Sequence, residues 1–282
     1  GRGIPWPIAT GATVESIADS LRPFIAGNRA LFLADNAELV LDREASGQLS
    51  PDVWQIAFGR AVSGVPVVGQ RYVFTIGHGN LISFGAPRWS RIEANPFPDI
   101  DSSEALVRLT AYMGLNPADD VKMVNKGTLQ LVPTRAGGVP AGTLTGPYDG
   151  PVGSGYDSAL VWRVAVHVEG ELGTWEALVD AHTGTIKSFR DINDYAQAKG
   201  GVFPVSDDGI PPDGIEQTAW PMPFTNITIG ATNQTASSLG NFNCTPGGST
   251  ATTTLAGQYV RVIDTCGAIS QSVTCDNDLD LS

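Results

Sequence analysis

Val53-Trp54-Gln55-Ile56-Ala57-Phe58, the turn Ser63-Gly64-Val65-Pro66, the run Val67 to Ile76, the turn Gly77-His78-Gly79-Asn80 and the run Leu81-Ile82-Ser83-Phe84 decide the fold. The three runs are rich in β-branched and aromatic residues. The turns between them are short, and short turns join antiparallel neighbours. Residues 52–86 therefore read as a β-meander.

Working outward, Val14, Ile17, Ala18, Leu21, Phe24 and Ile25 recur at three- and four-residue steps, which predicts a helix with a kink or break at Pro23. On the other side, Asp101-Ser102-Ser103-Glu104 supplies a cap and a first-turn acid, and Ala105 to Met113 supply apolar surface before Gly114. Strands are expected near 121–124, 128–133, 159–168, 174–179 and 185–189. A Gly- and Pro-rich loop falls at 134–157, and Asp180-Ala181-His182-Thr183-Gly184 forms a tight turn. Helix then meander occurs twice, from 14 to 86 and from 102 to 190. The expected class is α+β: two helix-on-antiparallel-sheet (cystatin-like) units followed by a β-rich, loop-rich segment.

Composition shifts near residue 195. From Lys199 onward there are two bases, Lys199 and Arg261, against Asp207, Asp208, Asp213, Glu216, Asp264, Asp276, Asp278 and Asp280. No helix is expected there, and the partner strands of this tail are expected beyond Ser282. The division is a helical lead-in over 1–49, modules over 50–98 and 99–195, and a β-rich segment over 196–282.

With 29 acids against 17 bases the formal charge is −12, which leaves no clustered basic surface for nucleic acid or anionic lipid. No run approaches the roughly 20 apolar residues of a membrane helix. The opening Gly1-Arg2-Gly3-Ile4-Pro5-Trp6-Pro7 has no Met and no apolar signal core, and reads as a processed or engineered start.

Signatures of catalytic chemistry are sparse. His78 and His182 read as solvated turn residues, and His167 lies in an alternating strand as a surface or satisfied histidine. There is no His-Glu-x-x-His helix, no Gly-x-Ser-x-Gly elbow and no nucleotide fingerprint. No catalytic, cofactor or metal residue is therefore assigned. Asp276-Asn277-Asp278-Leu279-Asp280 places acids at alternate positions but lacks the Gly and distant Glu of a calcium loop, and reads as a solvated tail. Asn226, Asn233 and Asn243 begin glycosylation sequons. Of three Cys, Cys244 and Cys266 flank a β-like stretch and are the preferred disulfide, with Cys275 pairing beyond Ser282. Three reduced thiols in a cytosolic protein are the alternative. The low Lys content and Thr-rich acidic tail favour export.

Two stretches resemble known modules. Gln55-Ile56-Ala57-Phe58, then Gly64-Val65-Pro66-Val67-Val68-Gly69, a strand and a Gly-Asn turn resemble the fungalysin/thermolysin propeptide module. Val161-Trp162-Arg163-Val164, Trp175-Glu176-Ala177-Leu178-Val179-Asp180-Ala181 and Thr183-Gly184-Thr185-Ile186 resemble the PepSY module. Their order is similar to that in prosegments of secreted zinc metallopeptidases, and the likeness covers about half the chain, 50–190. The loop 134–157 departs from a minimal PepSY unit.

The resemblance implies an intramolecular chaperone and inhibitor whose partner is the cognate catalytic domain, with no enzyme activity of its own. Zinc is expected only in a downstream domain. Gly200-Gly201-Val202-Phe203-Pro204 resembles the entry to a mature region, and the polar stretch containing Asp191, Asp194 and Lys199 is the expected processing region. The alternative function is a stand-alone cell-surface binding or protease-inhibitor module of the PepSY type.

Overall fold

A computed structural model describes residues 3–86, 89–116, 120–135, 153, 155–202, 217–245, 247–259, 261, 270–275 and 277–281. The loop read over 134–157 falls mostly outside this set. Strands hold 53% of the described residues and helices 14%. That overturns the expected α+β arrangement of two cystatin-like units.

The chain forms two compact units, interleaved in sequence. The first comprises Gly1–Pro117, Asn125–Ala165 and Ala177–Phe189. The second comprises Ala118–Val124, Val166–Glu176 and Arg190–Ser282.

The predicted meander is present as β3 (Val53–Val62), β4 (Val65–Gly77) and β5 (Asn80–Gly85). Ser63 and Gly64 turn the chain with φ of 50° and 83°, and His78 and Gly79 with φ of 50° and 71°. Two successive positive φ values match the right-handed twist of hairpin strands, and so fix the register. The meander gains β1 (Ile4–Pro5) beside β5 and β2 (Leu39–Ser50) beside β3. β2 escapes a sequence reading because Asp42-Arg43-Glu44 and Gly47 break its apolar pattern. The structure accommodates them with register shifts between Asp42 and Gly47.

The two expected sheets are one. β6 (Val121–Arg135), β7 (Tyr156–Val168), β8 (Thr174–Asp180) and β9 (Ile186–Asp191) continue from β4 in the order β1-β5-β4-β6-β7-β8-β9. The joint is a parallel pairing of Val67 with Leu131. Val65, Val67, Leu131, Leu160 and Ala181 are buried together at that seam, so separating the sheets would expose them.

Helix α1 (Val14–Gly27) is capped by Thr13, whose Oγ1 accepts from Ser16 N while Ser16 Oγ accepts from Thr13 N. It runs through Pro23, which is exposed, so the helix does not end where a break was expected. Ile17, Ala18, Leu21 and Ile25 pack with Phe58, Phe74, Ile56 and Ile76, and with Phe32 of the short α2 (Arg29–Phe32). Helix α3 (Ser102–Tyr112) is capped by Asp101 Oδ1 at Glu104 N and buries Ala105 and Leu109.

The second unit holds two small sheets. In one, β10 (Tyr195–Val202) lies between β11 (Gln217–Pro221) and β14 (Asn241–Asn243), with β17 (Leu279–Leu281) added in parallel. In the other, β12 (Asn226–Ile229), β13 (Thr232–Thr235), β15 (Thr250–Thr253) and β16 (Gln271–Thr274) run in the order β13-β12-β15-β16. The described tail strands thus pair with one another and with β10, rather than waiting for strands beyond Ser282.

Candidate functional site

The segment expected to be processed is woven into the second unit. Asp191 Oδ1 accepts from Thr174 N and Asn193 N, and Asp191 Oδ2 accepts from the Tyr195 hydroxyl. Burial, reinforced by the Asp191 carboxylate, pushes the Tyr195 hydroxyl up to about 12. Asp194 N donates to Thr245 Oγ1 at 2.6 Å, and Asp194 O accepts from Cys244 N at 2.8 Å. Lys199 Nζ lies 2.8 Å from Asp278 Oδ2 and 3.9 Å from Asp280 Oδ2. The hydrogen bond to Asp278 raises the Lys199 ammonium above its ordinary range and lowers the Asp278 carboxyl. Ala196 and Ala198 are buried. A protease binds an extended, unpaired segment, so cleavage inside β10 first requires that strand to leave its sheet.

Beside this segment lies a groove of about 1040 Å³ within the second unit. Its lining includes His167, Glu169 and Glu171, and Thr232 to Thr235 of β13. His167 Nδ1 lies 2.9 Å from Gly173 O. A carbonyl only accepts, so Nδ1 carries the proton and Nε2 is the remaining ring atom for a ligand. This agrees with the reading of a satisfied strand histidine and adds a groove that spacing did not reveal. Gln234, also unforeseen, is an amide that stands in for a strand. Its Nε2 donates to Asn243 O at 2.8 Å and its Oε1 accepts from Asn243 N at 3.0 Å.

The other sequence candidates lie apart. His78 is exposed in its turn, 3.8 Å from Asp52 Oδ2. His182 is more than a solvated turn residue: its Nδ1 lies 2.8 Å from Asp99 Oδ2 and its Nε2 3.2 Å from Asn95 O. In the same turn, burial works to raise the Asp180 carboxyl, but donation from Thr183 N, His182 N and Lys187 brings it below its usual range. Asp278 Oδ1 accepts from Gln197 N, so the oxygens offered to a cation are already engaged; Asp276 lies outside the described residues. Among the described residues no group of three His, Cys, Asp or Glu side chains is placed to hold a metal.

The disulfide joins Cys244 to Cys275, not to Cys266, and Cys275 therefore needs no partner beyond Ser282. Cys266 lies outside the described residues. The pairing follows from the sheet, because Cys275 N donates to Ser249 O and Gly248 N to Cys275 O, which carries Cys275 back towards β14. Both sulfur-bearing residues are buried with Ala196, Ala198, Phe242 and Leu279.

No protein-family profile matches the chain, and no curated protein matches it. The fungalysin/thermolysin likeness therefore rests on Gln55–Phe58 and Gly64–Gly69. Among solved structures, the chain is similar to the YpeB C-terminal domain of Bacillus megaterium, at 15% identity over 68% of this chain and 70% of that one, with a TM-score of 0.26. A Clostridium difficile 630 chain described as a candidate lipoprotein gives 7% identity over 68% of this chain and 95% of that one, with a TM-score of 0.21.

Proposed function

We propose that this chain is the pro-region of a secreted zinc metallopeptidase precursor, acting as folding assistant and inhibitor of a downstream catalytic domain. The carrying observation is local. Val65-Pro66-Val67 opens β4 directly after the two-residue turn at Ser63 and Gly64, the position that the propeptide motif requires between two strands. The Asp180–Gly184 turn supports the PepSY part in the same way, with Asp180 Oδ1 accepting from His182 N and Thr183 N. The Cys244–Cys275 disulfide fits an oxidising, extracellular setting. Such a binder needs no catalytic group or cofactor of its own. Zinc belongs to the catalytic domain that the reading requires.

A second reading, a stand-alone binding or inhibitor module at the cell surface, is favoured by one feature. The described strands of the tail close on β10 and on each other.

The coding sequence past Ser282 separates the two readings. The pro-region reading expects a continuing frame with a His-Glu-x-x-His segment, and a frame without it turns the assignment to the stand-alone module. The inhibitor role is tested by adding purified chain to that peptidase. Equimolar loss of activity is expected. Full activity at a large molar excess, with no complex on gel filtration, overturns it.

A further inference from the structure

Four consecutive residues of β13, Thr232 to Thr235, border the groove of the second unit. Side chains alternate between the two faces of a strand, so a groove lined by one face meets every second residue. Contact with all four places the edge of β13 at the groove. Among the described residues β13 pairs only with β12. Every second N–H and C=O along that edge is therefore turned away from β12, with no ladder partner. The same groove is lined by Glu169 and Glu171, both exposed, and by no Lys or Arg among the described residues.

We propose that this groove binds an extended basic segment of a partner polypeptide, which adds to β13 as a further strand. Main-chain hydrogen bonds to an open edge give affinity without demanding a sequence. The carboxylates of Glu169 and Glu171 then select for Lys or Arg side chains, and the chain's charge of −12 draws the same segment in. Glu171 is held in place, since its Oε2 accepts from Trp175 Nε1 at 3.0 Å. His167, which also lines the groove, offers Nε2 for one more hydrogen bond. The proposal stands apart from the pro-region reading and does not need it.

The test uses the full chain and a fluorescein-labelled hexapeptide of alternating Lys and Val, read by fluorescence anisotropy. The comparison peptides alternate Glu and Val, or carry N-methyl groups on alternate amides of the Lys–Val sequence. The Lys–Val peptide is expected to bind and the Glu–Val peptide not. N-methylation is expected to weaken binding at least tenfold, because it removes donors from the added strand. Glu169→Gln with Glu171→Gln is expected to weaken it about tenfold, the scale of two solvent-exposed charge pairs. Glu44→Gln, an exposed acid in the first unit, is expected to leave it unchanged. Equal binding of the Lys–Val and Glu–Val peptides, indifference to N-methylation, or equal effects of the groove and Glu44 variants would each overturn the proposal.

Discussion

The Arg60 guanidinium lies over the Trp89 ring, 4.9 Å from its centroid. Arg60 is also the hub of a buried polar cluster. Its Nη1 donates to Ser90 O at 2.6 Å, its Nη2 to Leu33 O at 3.0 Å, and its Nε to Glu38 Oε2 at 2.8 Å. One side chain thus ties β3, the end of α2 and the segment after β5. Removing it strands several acceptors and a carboxylate. Arg60→Ala is expected to lower unfolding free energy by about 3–5 kcal/mol in urea titrations. Arg60→Lys should recover less than half, because an ammonium cannot reproduce the planar fork. A loss below about 1 kcal/mol for the alanine variant would show that the hub is dispensable.

Peptide mapping without reduction should recover Cys244 linked to Cys275. The bridge spans 31 residues of sequence. In the chain-entropy account, closing such a loop contributes about 3.7 kcal/mol. Cys275→Ser should lower the denaturation midpoint accordingly. A Cys244–Cys266 peptide in the digest would refute the pairing.

Tyr195 should be among the last tyrosines to ionise. Its hydroxyl is pushed up to about 12, by burial and by the Asp191 carboxylate that it donates to. An unfolded tyrosine ionises near about 10. The stabilisation from the neutral hydroxyl is therefore complete below about pH 10 and is lost as pH rises towards 12. Absorbance titration of the wild type and Tyr195→Phe should differ by one tyrosinate appearing at that alkaline end. A difference centred near pH 10 would contradict the Asp191 contact.

Asp278 and Lys199 give a window in pH. The Asp278 carboxyl is depressed, so its contribution exists above about pH 4 and disappears as pH falls through the folded value. The Lys199 ammonium is raised, so its contribution exists below about pH 10 and disappears as pH rises. The thermal midpoint of Asp278→Asn should fall below wild type at pH 7 and converge with it in acid. A constant offset from pH 7 to pH 2 would remove the ion pair as its cause.

Trypsin should spare the Lys199–Gly200 bond in the native chain. β10 is hydrogen-bonded on both sides, and Met222 N and Ala198 N reach across it to Ala198 O and Gly240 O. Limited proteolysis with mass readout would show early cleavage there if the strand were open.

Much of the local structure could be read from residues alone. Ile17, Leu21 and Ile25 mark one face of α1, and the paired turns at Ser63–Gly64 and His78–Gly79 mark the meander. What failed was long-range. The Val67–Leu131 pairing unites two sheets through residues 64 positions apart, and nothing in either run announces its neighbour. β2 was hidden because an edge strand tolerates charge and glycine. The disulfide is long-range in the same sense: the β-like stretch that they flank points to Cys244 and Cys266, whereas strand pairing delivers Cys275. The groove is not legible in the sequence because its lining comes from the end of β7 and the turn after it, and from a hairpin some sixty residues later.

The parallel pairing of β10 with β17 also has a meaning in time. Lys199 meets Asp280, so β10 obtains that neighbour only after some eighty further residues have been made. At about 5–20 residues per second, the delay is on the order of 4–16 s. Through that interval the Ala198–Gly200 stretch stands without its last partner, although β11 and β14 are already made. A competing strand that meets the nascent chain thus finds at Ala198–Gly200 an edge that the finished fold covers.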